Sequence, residues 1–286
     1  MKHTSLFPVV LMSKVLGVSC SGYYKWRTTR PKSEARKAFL ARAIEKAFDG
    51  SEQTYGSPRI VVELRKMNIH ISKTTVARIM RAHNISVIPK KSFTLTTDSK
   101  HAYKVAKNLL DRNFTVDQPN RVWVSDITYI AIGRRFCYLT ICMDLFDRAI
   151  VGWNLSADMS AENTSIKALK KALRNRSVTP SDRLMVHSDR GVQYACKEFV
   201  DLLEEYNCVQ SMSRKGNCWD NAVAESFFKT IKGEKINKFN LTSFDQAKLL
   251  VFKYIDGWYN TKRIHSHLNG LSPVEYFYQN ISKLVA

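Results

Sequence analysis

Arg121-Val122-Trp123-Val124-Ser125-Asp126-Ile127-Thr128-Tyr129-Ile130 decides the fold of this chain. Its β-branched and aromatic residues read as a strand. Gly133-Arg134-Arg135 then reads as a turn, Phe136 to Phe146 as a second strand and Ala149 to Leu155 as a third. Short turns between them predict an antiparallel meander. Ser160 is placed to cap a helix running to Arg174. Leu184 to His187 reads as a short strand ending at Ser188-Asp189, Lys197 to Tyr206 as a helix, and Val209–Met212 as a strand. From Asp220 the chain is again helical. The order βββαβαβα predicts an α/β architecture, a mixed sheet flanked by helices, with strands one and four as neighbours.

Asp126 stands inside an apolar strand, where a carboxylate is costly without compensation. Asp189 ends the fourth strand, at the edge where open α/β sheets place ligands. Glu225 falls in the first turns of a helix. Each alone has a bland reading: an arginine partner, a turn starter, a solvated helix residue. With strands one and four adjacent, all three converge on one edge. Three hard oxygen ligands without a His/Cys cluster select Mg²⁺ or Mn²⁺. A pair of such ions suits phosphoryl chemistry in a basic protein.

The chain is strongly basic, with 45 Lys+Arg against 25 Asp+Glu over 286 residues, a formal net charge of +20. Such an excess points to a polyanionic partner. It is concentrated at the front: residues 1–118 carry a net +14 and residues 119–286 a net +6. A 44% hydrophobic content excludes a wholly disordered chain. The six cysteines form no C-x-x-C pair and read as reduced thiols. The apolar stretch Leu6–Met12 is spoiled as a signal sequence by Pro8 and Lys14, and no run reaches membrane-spanning length. A cytoplasmic protein is expected, with no membrane partner.

The front reads as helical units. Pro8–Leu16, a turn at Gly17 and a short helix from Ser21 to Trp26 outline a truncated helix-turn-helix. Pro31 is expected to open a further helix through Phe48, with Ala35, Phe39, Ala43 and Ala47 on one face. Ser57-Pro58 caps and starts the next helix, Asn68–Ile71 turns, and Ser72 caps a helix from Lys73 to Ala82. Val76, Ile79 and Met80 form its apolar back. Lys73, Thr74, Arg78 and Arg81 then face outward, as base and phosphate donors on a recognition helix must. The expected domains are a helical segment 1–48, a helix-turn-helix domain 49–97, a basic linker 98–118 with a helix around Tyr103–Leu110, and a catalytic core 119–286 with a helical extension.

Three motifs carry a resemblance. Trp123-x-x-Asp126-Ile127-Thr128-Tyr129, His187-Ser188-Asp189-Arg190-Gly191-x-Gln193-Tyr194 and Gly216-Asn217-Cys218-Trp219-Asp220-Asn221-Ala222-x-x-Glu225 resemble the catalytic motifs of DDE transposases with an integrase-type core. Thirty-five residues separate Asp189 from Glu225, the spacing typical of that group. Tyr55-Gly56-Ser57-Pro58-Arg59-Ile60 and the closing Tyr259-Asn260-Thr261-Lys262-Arg263-Ile264-His265-Ser266-His267 resemble the OrfB product of two-frame insertion sequences, with Ile264 where the family carries proline. The resemblance implies a ribonuclease-H-like five-stranded sheet. It implies that Asp126, Asp189 and Glu225 bind two Mg²⁺ or Mn²⁺ ions and catalyse strand cleavage and 3′-hydroxyl attack on a phosphodiester. It also implies element ends and target DNA as partners, a homo-oligomer on DNA, and an OrfA partner or fusion. Lys229 and Lys232, on the Glu225 helix, would meet DNA; Lys232 lies two turns on, where the family carries a basic residue.

Two other functions compete. A non-catalytic DNA-binding regulator explains the charge but leaves the three carboxylates as coincidence. A hydrolase built on Ser188 and His187 fails because neighbouring strand residues point to opposite faces. His265 and His267, with no third close ligand, read as a DNA-facing or core pair.

Overall fold

The computed structural model describes residues 6–87, 103 and 105–285, without the side chains of 218 and 282–285. The chain divides into two compact units, 1–88 and 89–286. In the first, α1 (Val9–Val15) is followed by Gly17 at φ +66° and by α2 (Cys20–Gly50), whose cap Ser19 accepts from Gly22 N. α2 runs unbroken for 31 residues, so the short helix and the helix expected to start at Pro31 are one. Pro31 removes one backbone donor. The turn before it is exposed, leaving the freed carbonyl to water, and Thr28 and Thr29 hydroxyls bond back to the Tyr24 and Lys25 carbonyls. The buried face of α2 is Ala41, Ile44, Ala47 and Phe48; Ala35 and Phe39, expected on it, are exposed.

α3 (Ser57–Lys66) and α4 (Lys73–Ala82) close this unit. The cap of α3 is Gly56, one residue earlier than expected. Asn68 turns the chain at φ +59°, and Ser72 accepts from Thr75 N to cap α4. Ile60, Val61 and Leu64 of α3 and Val76 and Met80 of α4 are buried where the two helices pack on each other and on α2. Lys73, Thr74, Arg78 and Arg81 are all exposed. Residues 88–97, the end of the expected second domain, lie outside the described residues.

The second unit is a five-stranded mixed sheet in the order β3-β2-β1-β4-β5. β1 (Val122–Ile132), β2 (Arg135–Asp144) and β3 (Ile150–Ser156) form the antiparallel meander. β4 (Met185–Ser188) and β5 (Val209–Met212) add in parallel beside β1. A wide-turned Glu162–Ile166 segment leads into α5 (Lys167–Asn175), which lies on β3. Gly152 permits that approach: a Cβ there would sit 2.5 Å from the Ala168 carbonyl. α6 (Val192–Ala195) and α7 (Lys197–Glu205) follow β4, and α8 (Ala222–Glu234) packs on β1. α9 (Phe244–Tyr254) and α10 (Pro273–Val285) complete the unit. Among the described residues no helix is long and apolar enough to cross a membrane.

The stretch expected as linker behaves differently from Val105 onward. No helix forms over 105–110. Leu110 is buried, Val105 and Ala106 pack against the apolar core of the sheet unit, and Leu109 N donates to Ser211 Oγ of β5. Residues 98–102 and 104 lie outside the described residues.

Candidate active site

The register of the sheet brings two of the expected carboxylates together. Parallel pairing runs Val122–Met185, Trp123–Val186, Val124–His187. Two residues on from the last pair stand Asp126 and Asp189. Side chains two apart share a face, and neighbouring strands lie about 4.8 Å apart. The two carboxyls therefore project side by side where β4 ends and β1 runs on. Glu225 enters from the first turn of α8, which packs against β1.

Electrostatics agree with that placement. Burial drives the Asp126 carboxyl well above the usual carboxylate range, and Asp189 and Glu225 push it the same way. One Asp126 oxygen accepts from Ile127 N at 2.8 Å, and Asp189 Oδ1 from Gly191 N at 2.9 Å. Burial also raises Glu225, countered by Lys229 at 3.7 Å. Lys232 is 8% exposed and faces Asp126: burial lowers it to about 8, and the neighbouring Asp126 pulls it the other way. Lys229 remains exposed. Asp126 thus senses both other carboxylates, but among the described residues no three His, Cys, Asp or Glu side chains make a preformed metal cage. The donor set suits hard divalent cations. An anion disfavoured by burial and by two like charges is what such a cation stabilises.

Residues that sequence reasoning left without a role support this edge. Asp220, fully buried, accepts from Arg214 N (2.9 Å), Arg214 Nε (2.9 Å), Arg214 Nη2 (2.8 Å), Arg112 Nε (2.9 Å) and Asn108 Nδ2 (3.0 Å). Those donors hold its carboxyl far below the usual range. The six-residue spacing of Arg214 and Asp220 was the available signal. Asn221 Nδ2 donates to the Ser125 carbonyl at 3.2 Å, tying the loop before α8 to the residue preceding Asp126. Ser125 Oγ donates to the Ile141 carbonyl and lies 3.0 Å from Tyr194 Oη, so the tyrosine of the second motif braces the same strand from inside the core.

His187 is fully buried, its ring nitrogens 2.8 Å from Ser211 Oγ and 3.1 Å from Ser213 Oγ. Burial lowers it to about 4, so it is neutral and joins β4 to β5. Ser188 instead donates to the Asp189 carbonyl, and no His187–Ser188 catalytic pair exists. His267 Nε2 lies 2.9 Å from Arg148 Nη2, and His265 stacks edge-on to Tyr259. Among the described residues no third ligand joins them in a metal site. Ile264 is buried at 1% exposure, filling core space where the resembling family has proline.

The chain matches the Integrase core domain family over residues 116–218 and again over 225–281, and an HTH-like domain over 34–93. It is 35% identical to the transposase InsF of insertion sequence IS3A from Escherichia coli K12 over 284 residues, 98% of each chain. It is 36% identical to the insertion element IS600 uncharacterized 31 kDa protein of Shigella sonnei, over 93% of this chain and 97% of that one. Among solved structures, the HTLV-2 integrase catalytic core domain in complex with magnesium covers 55% of this chain and 95% of its own, at 19% identity and a TM-score of 0.41.

Proposed function

The chain belongs to the insertion-sequence transposases, and we propose that Asp126, Asp189 and Glu225 are its catalytic residues, jointly holding two Mg²⁺ or Mn²⁺ ions. The protein is a DNA transposase with an integrase core and a DNA-binding helix-turn-helix-like domain. The observation that carries the assignment is the register: pairing that stops at Val124–His187 leaves Asp126 and Asp189 as neighbours on one face. When bound, such cations polarise the attacked phosphodiester and lower the cost of forming the attacking oxyanion. The carboxylates supply the negative field that recruits them. Asn221 and Asp220 fix the start of α8 and hence the approach of Glu225.

Lys232 carries a cation beside Asp126 in a shielded position, suited to a phosphate oxygen of the element end. Replacement by methionine keeps the aliphatic packing and removes the charge. A drop in strand joining of about 100- to 1,000-fold is expected, with DNA retention by α4 unchanged. Equal joining by wild type and variant in a labelled-end assay would remove Lys232 from the centre.

Recognition of the element's terminal repeats is assigned to α4, through Lys73, Thr74, Arg78 and Arg81. Their exposure opposite a buried Val76 and Met80 means they can be changed without touching the core. Arg78→Ala, or Lys73→Ala with Thr74→Ala, should weaken end binding by about 1–3 kcal/mol per lost base contact, with unaltered melting. Binding should fall steeply with salt as phosphate-bound counterions are released. Gel-shift titration at two salt concentrations checks both; unchanged affinity would move the reader elsewhere. Work on both element ends and target requires more than one copy on DNA, and OrfA, separate or fused, is the proposed partner. A single experiment tests the catalytic assignment: incubation of a labelled element end with each carboxylate variant, scoring nicked and joined products.

A further inference from the structure

A short turn, Cys218–Asn221, precedes α8, and Trp219 stands out from it. It is the most exposed of the five tryptophans at 68%, against 42% for Trp26, with Trp153 part-buried and Trp258 and Trp123 buried. A single exposed aromatic is ordinary in itself. Here, however, the backbone on its C-terminal side is held at consecutive residues. Asp220 is locked by Arg214, Arg112 and Asn108, and closes residues 214–220 into a ring. Asn221 is tied to the Ser125 carbonyl. The indole is therefore displayed by a fixed support.

That support also sets its location. Ser125 immediately precedes Asp126. Two peptide units separate Trp219 from Asn221, so their Cα atoms lie within about 7.6 Å. Trp219 thus sits on the rim of the edge that holds Asp126, Asp189 and Glu225. Basic side chains lie on either side of it in sequence: Lys215 is exposed before it, and Lys229 is exposed on α8 beside Glu225. A flat ring among cations, on a protein that acts on DNA, matches how nucleotides are held: charges take phosphates and the ring takes the face of a base. Inside a duplex both faces of a base are covered by its neighbours. A base offers a free face only at an end or when drawn out of the stack.

We propose that Trp219 is a stacking platform for an unpaired base of the DNA strand whose phosphodiester is presented to the three carboxylates. The proposal rests on the reading of those carboxylates as the active centre. It gives the Trp219 loop a role in holding a frayed or opened end, separate from sequence reading by α4.

The test is a coupling measurement on the full chain. The probe is a duplex of the element end with its last nucleotides unpaired, and a series in which each unpaired or flanking nucleotide is made abasic in turn. Trp219→Ala is expected to weaken binding of the intact probe by about 5- to 150-fold, the range for loss of one base–aromatic stack. Trp219→Phe should restore most of it. At one position the abasic probe should weaken wild type by a similar factor and leave Trp219→Ala no worse. Losses that multiply at every position, or unchanged binding by Trp219→Ala, overturn the proposal. So does a Trp219→Ala variant whose only change is its oligomeric state by light scattering, which would mark a contact between protein copies. In an Asp126→Asn background the coupling should persist while cleavage is lost. Cleavage by Asp126→Asn would instead sink the active-centre reading, independently of the coupling result.

Discussion

Asp126→Asn, Asp189→Asn and Glu225→Gln are each expected to abolish strand cleavage and strand transfer, by at least about a thousandfold. Each keeps shape and hydrogen-bonding size while removing the charge that recruits hard cations. On the proposal that the three hold the same ions, double variants should be hardly worse than singles. The structure adds a second readout that separates lost chemistry from lost folding. Burial and two like charges raise Asp126, so the fold prefers this carboxyl neutral. Asp126→Asn should therefore melt at the same temperature as wild type or higher, while being inactive. Binding of DNA through the first unit should be retained in all three. A labelled element end, incubated with Mg²⁺ or Mn²⁺ and each variant, reports nicked and joined products; calorimetry reports the melting. Near-normal joining by one variant would remove that residue, and by all three would remove the assignment.

The core of this arrangement was legible because it depends on local pattern and on strand order. The β-branched run around Trp123 and the short turn at Gly133 predict the meander, and a fourth strand placed beside the first brings Asp126 toward Asp189. The 35-residue gap to Glu225 then needed only one helix packed on β1. What escaped the sequence was everything decided by distant partners. Pro31 reads as a helix start because its ring disfavours a helix interior; an exposed α2 tolerates it. Residues 98–118 read as linker because no apolar period runs through them, yet Arg112 is spent on buried Asp220 and the Phe114 carbonyl on Arg148. Asp220 looks like a solvated residue near a helix start, and only the fold shows five donors turned toward it.

The closing motif shows the same limit and yields the second large effect. Arg263→Ala is expected to destabilise the second unit by about 3–5 kcal/mol, the usual result of leaving a buried charge without its partner. Arg263 donates from Nε and Nη2 to the two Glu234 oxygens at 2.8 and 2.7 Å, with side chains 4% and 6% exposed. Tyr254 Oη adds a third donor at 2.8 Å. Glu234 is the last residue of α8, the helix that carries Glu225 at its other end. Tyr259 packs edge-on against Phe227 of the same helix, and Asn260 bonds both the N–H and the carbonyl of Ile150 in β3. The closing motif therefore clamps the Glu225 helix and the sheet. Melting should fall by roughly 6–20 °C for a unit of this size, and joining should fall with it as α8 loses its anchor. A basic residue in a transposase could instead be a DNA contact, and one variant decides between the two roles. Replacing the three by apolar groups, Arg263→Met with Glu234→Leu and Tyr254→Phe, removes the ion pair and the tyrosine donor together, and such swaps are often neutral or stabilising. If Arg263 acts through α8, the triple variant regains most of the lost stability and joins DNA again. If it is stable but still fails to join, Arg263 touches DNA and the clamp is not its main role.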